Sequence, residues 1–136
     1  MIVGLTSGCW DLFHYSHLHY LQRCKAECDK LLVGVDSDTM VRGAKGNKRP
    51  IIPEHERFNL INSLEIVDAT FILHQLIDLE TISKSFLVDK VFKHQGFKGI
   101  DNVIGVDNTQ AKLVIVADIE DMVSTTAIIQ RIVERH

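Results

Sequence analysis

Proline occurs twice in these 136 residues and the eight glycines are scattered. That sparseness excludes a collagen-like repeat and leaves no Pro- or Gly-rich linker to mark a domain boundary. No internal repeat or low-complexity segment interrupts the chain. Cysteine is also scarce: Cys9, Cys24 and Cys28 are odd in number, so at least one is unpaired. There is no apolar leader and no apolar run of membrane-spanning length, which makes the cytoplasm, with reduced thiols, the expected compartment. Excess charge is missing too. At a formal −3, no global field draws nucleic acid or an anionic membrane, and any phosphate ligand must be met by local cations.

What remains is a balance of 46% hydrophobic and 24% charged residues, that of a folded protein able to bury a core. One domain spanning residues 1–136 is expected at this length. Ile2–Leu5 reads as a buried strand that stops at Thr6-Ser7-Gly8. A helix follows from about His17, with Leu18, Leu21 and Cys28 on its apolar face. Leu31–Val35 is a second strand, and Asp36-Ser37-Asp38 after it favours a loop or a helix cap. The stretch RGAKGNKRP, residues 42–50, carries four cations and no periodic apolar pattern, and reads as a mobile surface loop. Pro53 opens a further helix with Phe58, Ile61 and Leu64 facing the core. ATFIL at 69–73, KVFKH at 90–94 and KLVIVA at 112–117 read as strands, with helical spacing between Leu79 and Leu87. Ser124 caps a last helix carrying the apolar stripe Ile128, Ile129 and Ile132. Strands alternating with helices predict an α/β, Rossmann-like, doubly wound parallel sheet with helices on both faces. Ligands of such sheets bind beyond the carboxyl ends of the strands.

The stretch TSGCWDLFHYSHLHYL, residues 6–21, lies at such an end and sets His14 and His17 three apart. Three readings are open for the pair. They can be polar residues capping a helix. With Cys24 and Cys28 they have the chemistry of a zinc site, although Cys-x3-Cys on a helix is not a usual zinc knuckle. Or they can hold phosphate, presenting N–H donors beside the free amides and positive dipole end of a helix. Cys9 has no nearby helper that would make it a nucleophile. Trp10 and Phe13 are expected to pack beneath the loop.

SGCWDLFHYSH resembles the GxFDxxHxGH segment of the cytidylyltransferase-like nucleotidyltransferases, which join a nucleoside triphosphate to a phosphorylated alcohol or sugar and release pyrophosphate. VGVDSD, KGNKRPIIPEHER, SLEIVDATF and EDMVSTTAII occur in the family's order, so the resemblance covers nearly the whole chain. It is strongest to heptose-phosphate adenylyltransferase domains, through the KGxxRP loop and the EDxxSTT segment. Glycerol-3-phosphate cytidylyltransferases are similar as well. Two positions depart from the pattern: Ser16 replaces the glycine of HxGH, and His94-Gln95-Gly96 stands where the family has an acidic GGD or GDD segment.

The resemblance implies transfer of a nucleoside monophosphate, from ATP in preference to CTP, to a sugar or polyol phosphate. His14, His17 and Lys45 would be the catalytic residues. Ser7, Gly8, Cys9, Ser16, Arg57, Ser124, Thr125 and Thr126 would bind the nucleotide, Lys45 and Arg57 as cations closing over its phosphates. Asp11, Asp36 and Asp38 would orient substrate hydroxyls, and Asp11 is also a candidate for holding hydrated Mg²⁺. The family implies Mg²⁺ as cofactor and a homodimer, with no nucleic-acid or membrane partner. A nucleotide-binding module that has lost turnover is the rival reading, motivated by Ser16 and Gly96.

Overall fold

The computed structural model describes residues 1–117 and 123–136. Its elements run β1 (Val3–Gly8), α1 (Tyr15–Ala26), β2 (Lys30–Asp36), α2 (Asp38–Lys45), α3 (Glu54–Asn62), β3 (Ala69–Leu73), α4 (Asp78–Ser85), β4 (Lys90–His94), β5 (Lys112–Val116) and α5 (Thr125–Arg135). The strands form one sheet in the order β3-β2-β1-β4-β5, every pair parallel. The chain winds outward from β1 through β2 to β3, then returns to lay β4 on the other side of β1. The connections leaving β1 and β4 therefore diverge, and a crevice opens between them.

Side-chain alternation divides the core in two. Leu31, Val33 and Val35 of β2 join Phe92, Leu21 and Cys24 of α1 and Ile61 of α3 on one face. Leu32 points the other way, into a cluster with Leu5, Val91 and Leu79, against which Met40 of α2 and Ile82 of α4 pack. Helices thus cover both faces, as the continuous apolar strands require. Among the described residues no helix is long and apolar enough to cross a membrane.

Four local expectations are corrected. Thr6-Ser7-Gly8 continues β1 instead of ending it, paired with Val33, Gly34 and Val35. α1 begins at Tyr15, because His14 is extended and occupies the cap position, and Cys28 falls beyond its end while Cys24 takes the buried place. Residues 42–45 are the last turn of α2: Ser37 accepts a hydrogen bond from the Met40 amide, Val41 is buried, and Gly46, at φ +95, ends the helix. The stripe on α5 is not fully buried, since Ile132 is 55% exposed.

Gly4 sits where β4 and the turn after α1 converge, and a Cβ there would stand 2.5 Å from the Phe92 ring and 2.9 Å from Cys28 Sγ. Gly4→Ala should therefore overpack the core and cost about 1–3 kcal/mol, read as a lowered urea midpoint at unchanged slope.

Candidate active site

The loop from β1 to α1 is held in an unusual conformation. Trp10 and Leu12 have φ of 58 and 49, left-handed values that cost free energy for residues with a Cβ. Neighbouring contacts enforce them. Trp10 is buried, donates Nε1–H to the Gly34 carbonyl at 2.9 Å, and sets its ring edge-on to His17. Asp11 is 1% exposed and accepts the Ile51 and Ile52 amides at 2.8 and 2.9 Å, with Arg49 Nε 3.4 Å away. Trp10 thus packs under the loop as expected, whereas Asp11 faces inward with both oxygens engaged by the segment leading into α3. That leaves it a brace of the fold in place of a holder of hydroxyls or Mg²⁺.

Arg57 is a second correction. The sequence places it on a helix near phosphate-binding residues, yet it is 1% exposed and lines no part of the cleft. Its Nε donates to the Ile52 carbonyl, its Nη1 to the carbonyls of Cys9 and Asp36, and its Nη2 to Asp38 Oδ1 at 2.7 Å. Asp38 is spent on that ion pair in the first turn of α2, so it too leaves the list of substrate contacts.

Facing the crevice is a cleft of two lobes that share Ser16, His17, Tyr20, Lys45 and Thr125. The first, about 370 Å³, lies between the amino ends of α1 and α5 and is lined by His14, Arg49, Ser124 and Thr126. The second, about 520 Å³, runs along the strand ends past Ser7, Gly8, Cys9, Asp36, Lys93 and His94. The two helix ends are tied together: Ser16 Oγ donates to the Val123 carbonyl and Thr125 Oγ1 to the Asp11 carbonyl. Ser124 Oγ accepts the Ala127 amide as N-cap. Ser16 lies inside the first turn of α1, where backbone geometry is ordinary for any residue, so glycine's freedom is not needed there. Glu120, Asp121 and Met122, the start of the expected EDxxSTT segment, lie outside the described residues.

The two histidine rings lie against each other with centroids 3.9 Å apart and planes tilted by 44°. The His14 amide donates to His17 Nδ1, so the proton of a neutral His17 ring is on Nε2. His14 Nδ1 lies 2.9 Å from the Leu12 carbonyl and is the protonated nitrogen there. Burial, then the nearby charges of His14 and Lys45, push the His17 pKa down to about 4. His17 is therefore neutral at physiological pH and carries its N–H on Nε2. Burial pushes the Cys9 thiol up, which keeps it protonated and unreactive. No group of three or more His, Cys, Asp or Glu suited to a metal ion occurs among the described residues, so the zinc reading of His14, His17, Cys24 and Cys28 falls away.

Sequence reasoning missed Arg49 and Lys93. Arg49 was within a loop read as solvated. Lys93 interrupts an apolar strand near its carboxyl end beside the crevice, and that position was the available signal.

The cytidylyltransferase-like family model matches residues 5–131. The bifunctional protein HldE of a Nitratiruptor species is 41% identical over 129 residues, covering 95% of this chain and 27% of that protein. HldE of Pelobacter propionicus is 35% identical over 137 residues, covering 98% and 28%. The chain thus spans about a quarter of the length of these curated relatives. The crystal structure of the lipopolysaccharide core biosynthesis protein from Thermoplasma volcanium superposes with a TM-score of 0.72 at 26% identity, over 88% of this chain and 99% of that one.

Two measurements check these assignments. Arg57→Ala leaves Asp38 without its buried partner and strands three carbonyls, and should cost about 3–5 kcal/mol in chemical denaturation. For His17, the folded pKa of about 4 lies below the ordinary 6.5, so the unfolded chain binds the extra proton between those values. Its stabilising contribution is complete above pH 6.5 and is lost as pH falls toward 4. His17→Gln should flatten the decline of melting temperature over that window relative to the unaltered protein.

Proposed function

The chain belongs to the cytidylyltransferase-like family, and from that premise we propose that it transfers the nucleoside monophosphate of a nucleoside triphosphate, ATP in preference to CTP, to a sugar phosphate. The observation that carries this reading is the convergence of two helix amino ends on one lobe, His14 and His17 on one side and Ser124 and Thr125 on the other, with Lys45 and Arg49 beside them. Free amides, hydroxyls, dipole ends and cations meet there, which is the chemistry that holds a triphosphate.

In the reaction an oxygen of the acceptor phosphate attacks the α-phosphorus and forms a new P–O bond. The bond from that phosphorus to the bridging oxygen breaks, and pyrophosphate leaves with the electron pair. The nucleophile is already an anion, so no general base is required. The protein brings two anions together and meets charge as it grows on the bridging oxygen. His17, neutral and donating through Nε2–H, suits that task because it needs no proton from solvent first. Lys45 lines both lobes and so stands between nucleotide and acceptor.

Mg²⁺ suits this site as an ion carried in on the triphosphate, since it keeps waters and takes few protein carboxylates. The triphosphate oxygens themselves would hold it, since no group of three or more metal-ligating side chains occurs among the described residues. Bound there, Mg²⁺ would supply charge neutralisation on the phosphates. The reading extends to a homodimer, supported by Ile132 and Val133, which α5 leaves 55% and 73% exposed. The free thiols Cys9, Cys24 and Cys28 suit a reducing cytoplasm.

The test is pyrophosphate release with Mg²⁺ and either ATP or CTP, against a panel of sugar 1-phosphates and polyol phosphates. Release should depend on the acceptor and be faster with ATP, and faster release with CTP and glycerol 3-phosphate would move the reading to that cytidylyltransferase. His17→Ala should keep the fold and lower turnover by about 10²–10³. Nucleotide binding without release for any acceptor would overturn the enzyme reading in favour of a binding module.

A further inference from the structure

The floor of the second lobe carries two opposite charges that do not meet. Asp36 ends β2 and Lys93 is the penultimate residue of β4, with β1 between them. Alternation puts both on the same side of the sheet: Leu32 and Val91 of those strands share one core cluster, and Asp36 and Lys93 follow at even spacing. Two strand spacings separate β2 from β4, about 10 Å. No ion pair within 4.0 Å joins the two side chains, and neither has a hydrogen-bond partner among the described residues.

Both are nonetheless withdrawn from water. Burial lowers the Lys93 pKa and raises that of Asp36, and each is partly restored by the other's charge across the gap. The ammonium lies 5.1 Å from the centre of the Phe97 ring, a contact that steadies a cation without using its N–H donors. Three donors on one side and a carboxylate on the other thus face the cleft unspent.

The departure after β4 explains why Lys93 is left uncompensated locally. Where the family pattern has an acid, Gly96 donates its amide to His94 Nδ1, and a Cβ at Gly96 would come within 2.6 Å of the His94 ring. The ring thus occupies the space a side chain there would take. Lys45 and Arg49 line the first lobe, and Arg49 sits against Asp11. Lys45 reaches the second lobe as well, and Lys93 is the lysine that lines the second lobe without lining the first.

We infer that Lys93 binds the phosphate of the acceptor, the attacking anion, while Asp36 accepts a hydrogen bond from one of the acceptor's hydroxyls. The ligand class is a small phosphorylated polyhydroxy compound whose phosphate and hydroxyl bridge the gap over Ser7. The inference rests on the transferase reading only for the name acceptor; the anion site stands on the geometry of the second lobe.

The first experiment needs no turnover. The protein is saturated with inorganic tripolyphosphate to fill the first lobe, then titrated with inorganic phosphate while the side-chain Cε resonance of Lys93, assigned through Lys93→Arg, is followed. The resonance should shift saturably. Lys93→Met, near in volume and checked by melting temperature, should weaken phosphate binding about 10–100-fold. A resonance that stays fixed, or phosphate affinity that survives Lys93→Met, overturns the inference. In the transferase assay, Lys93→Met should raise the acceptor KM by the same about 10–100-fold and leave the nucleotide KM within about twofold, with Lys93→Arg recovering part. A parallel rise in nucleotide KM makes Lys93 a nucleotide contact and overturns the inference as well. A positive phosphate titration with no transfer to any acceptor sinks the transferase reading and leaves the anion site standing.

Discussion

The cleft depends on one buried guanidinium. Arg57 reaches from α3 to the carbonyls of Cys9, Asp36 and Ile52 and to the Asp38 carboxylate, so one planar fork ties the end of β1, the end of β2, the start of α2 and the approach to α3. Each of those carbonyls lies where the backbone leaves regular structure and would otherwise be desolvated without a donor. Arginine does this where lysine would not, because its donors are fixed in direction and its charge is permanent. Asp11 supplies the complement, a carboxylate accepting the Ile51 and Ile52 amides. Between them these two buried charges hold the first loop in its left-handed turns and so aim His14 and His17.

The electrostatics of the cleft follow from that scaffold. Helix amino ends and cations concentrate positive potential in the first lobe, while Asp36 brings a carboxylate without a hydrogen-bond partner among the described residues to the second. A chain with a net charge of −3 thereby presents a locally positive site. His17 adds a donor without adding charge, because burial and the nearby charges of His14 and Lys45 hold its ring neutral. In the proposed reaction phosphates are met by directed hydrogen bonds, which discriminate geometry, as well as by point charges, which discriminate little.

The strands and most helices were legible because burial demands periodicity. ATFIL and KVFKH are strands to the residue, since runs of β-branched and aromatic side chains between polar breaks admit little else. α2 was not legible. Its core contribution is Met40 and Val41, too few for a helical period, and its glycine and cations resemble a loop. The site shows the same division. His14, His17, Ser124 and Thr125 could be placed at helix amino ends because helix starts have local signatures. Arg57, Asp11 and Asp38 carry the same residue types as a substrate-binding set, yet they turn inward to one another and to the backbone. Nothing local to their positions says which way they face.

The amino-acid sequence by itself determined the alternating elements, the cleft's helix amino ends and the family, because each is written in spacing along the chain. Tertiary structure alone decided which charges are spent on the fold and which are left for a ligand. Arg57 and Lys93 differ in that respect only because strand order and side-chain alternation bring partners to the first and set Asp36 out of reach of the second.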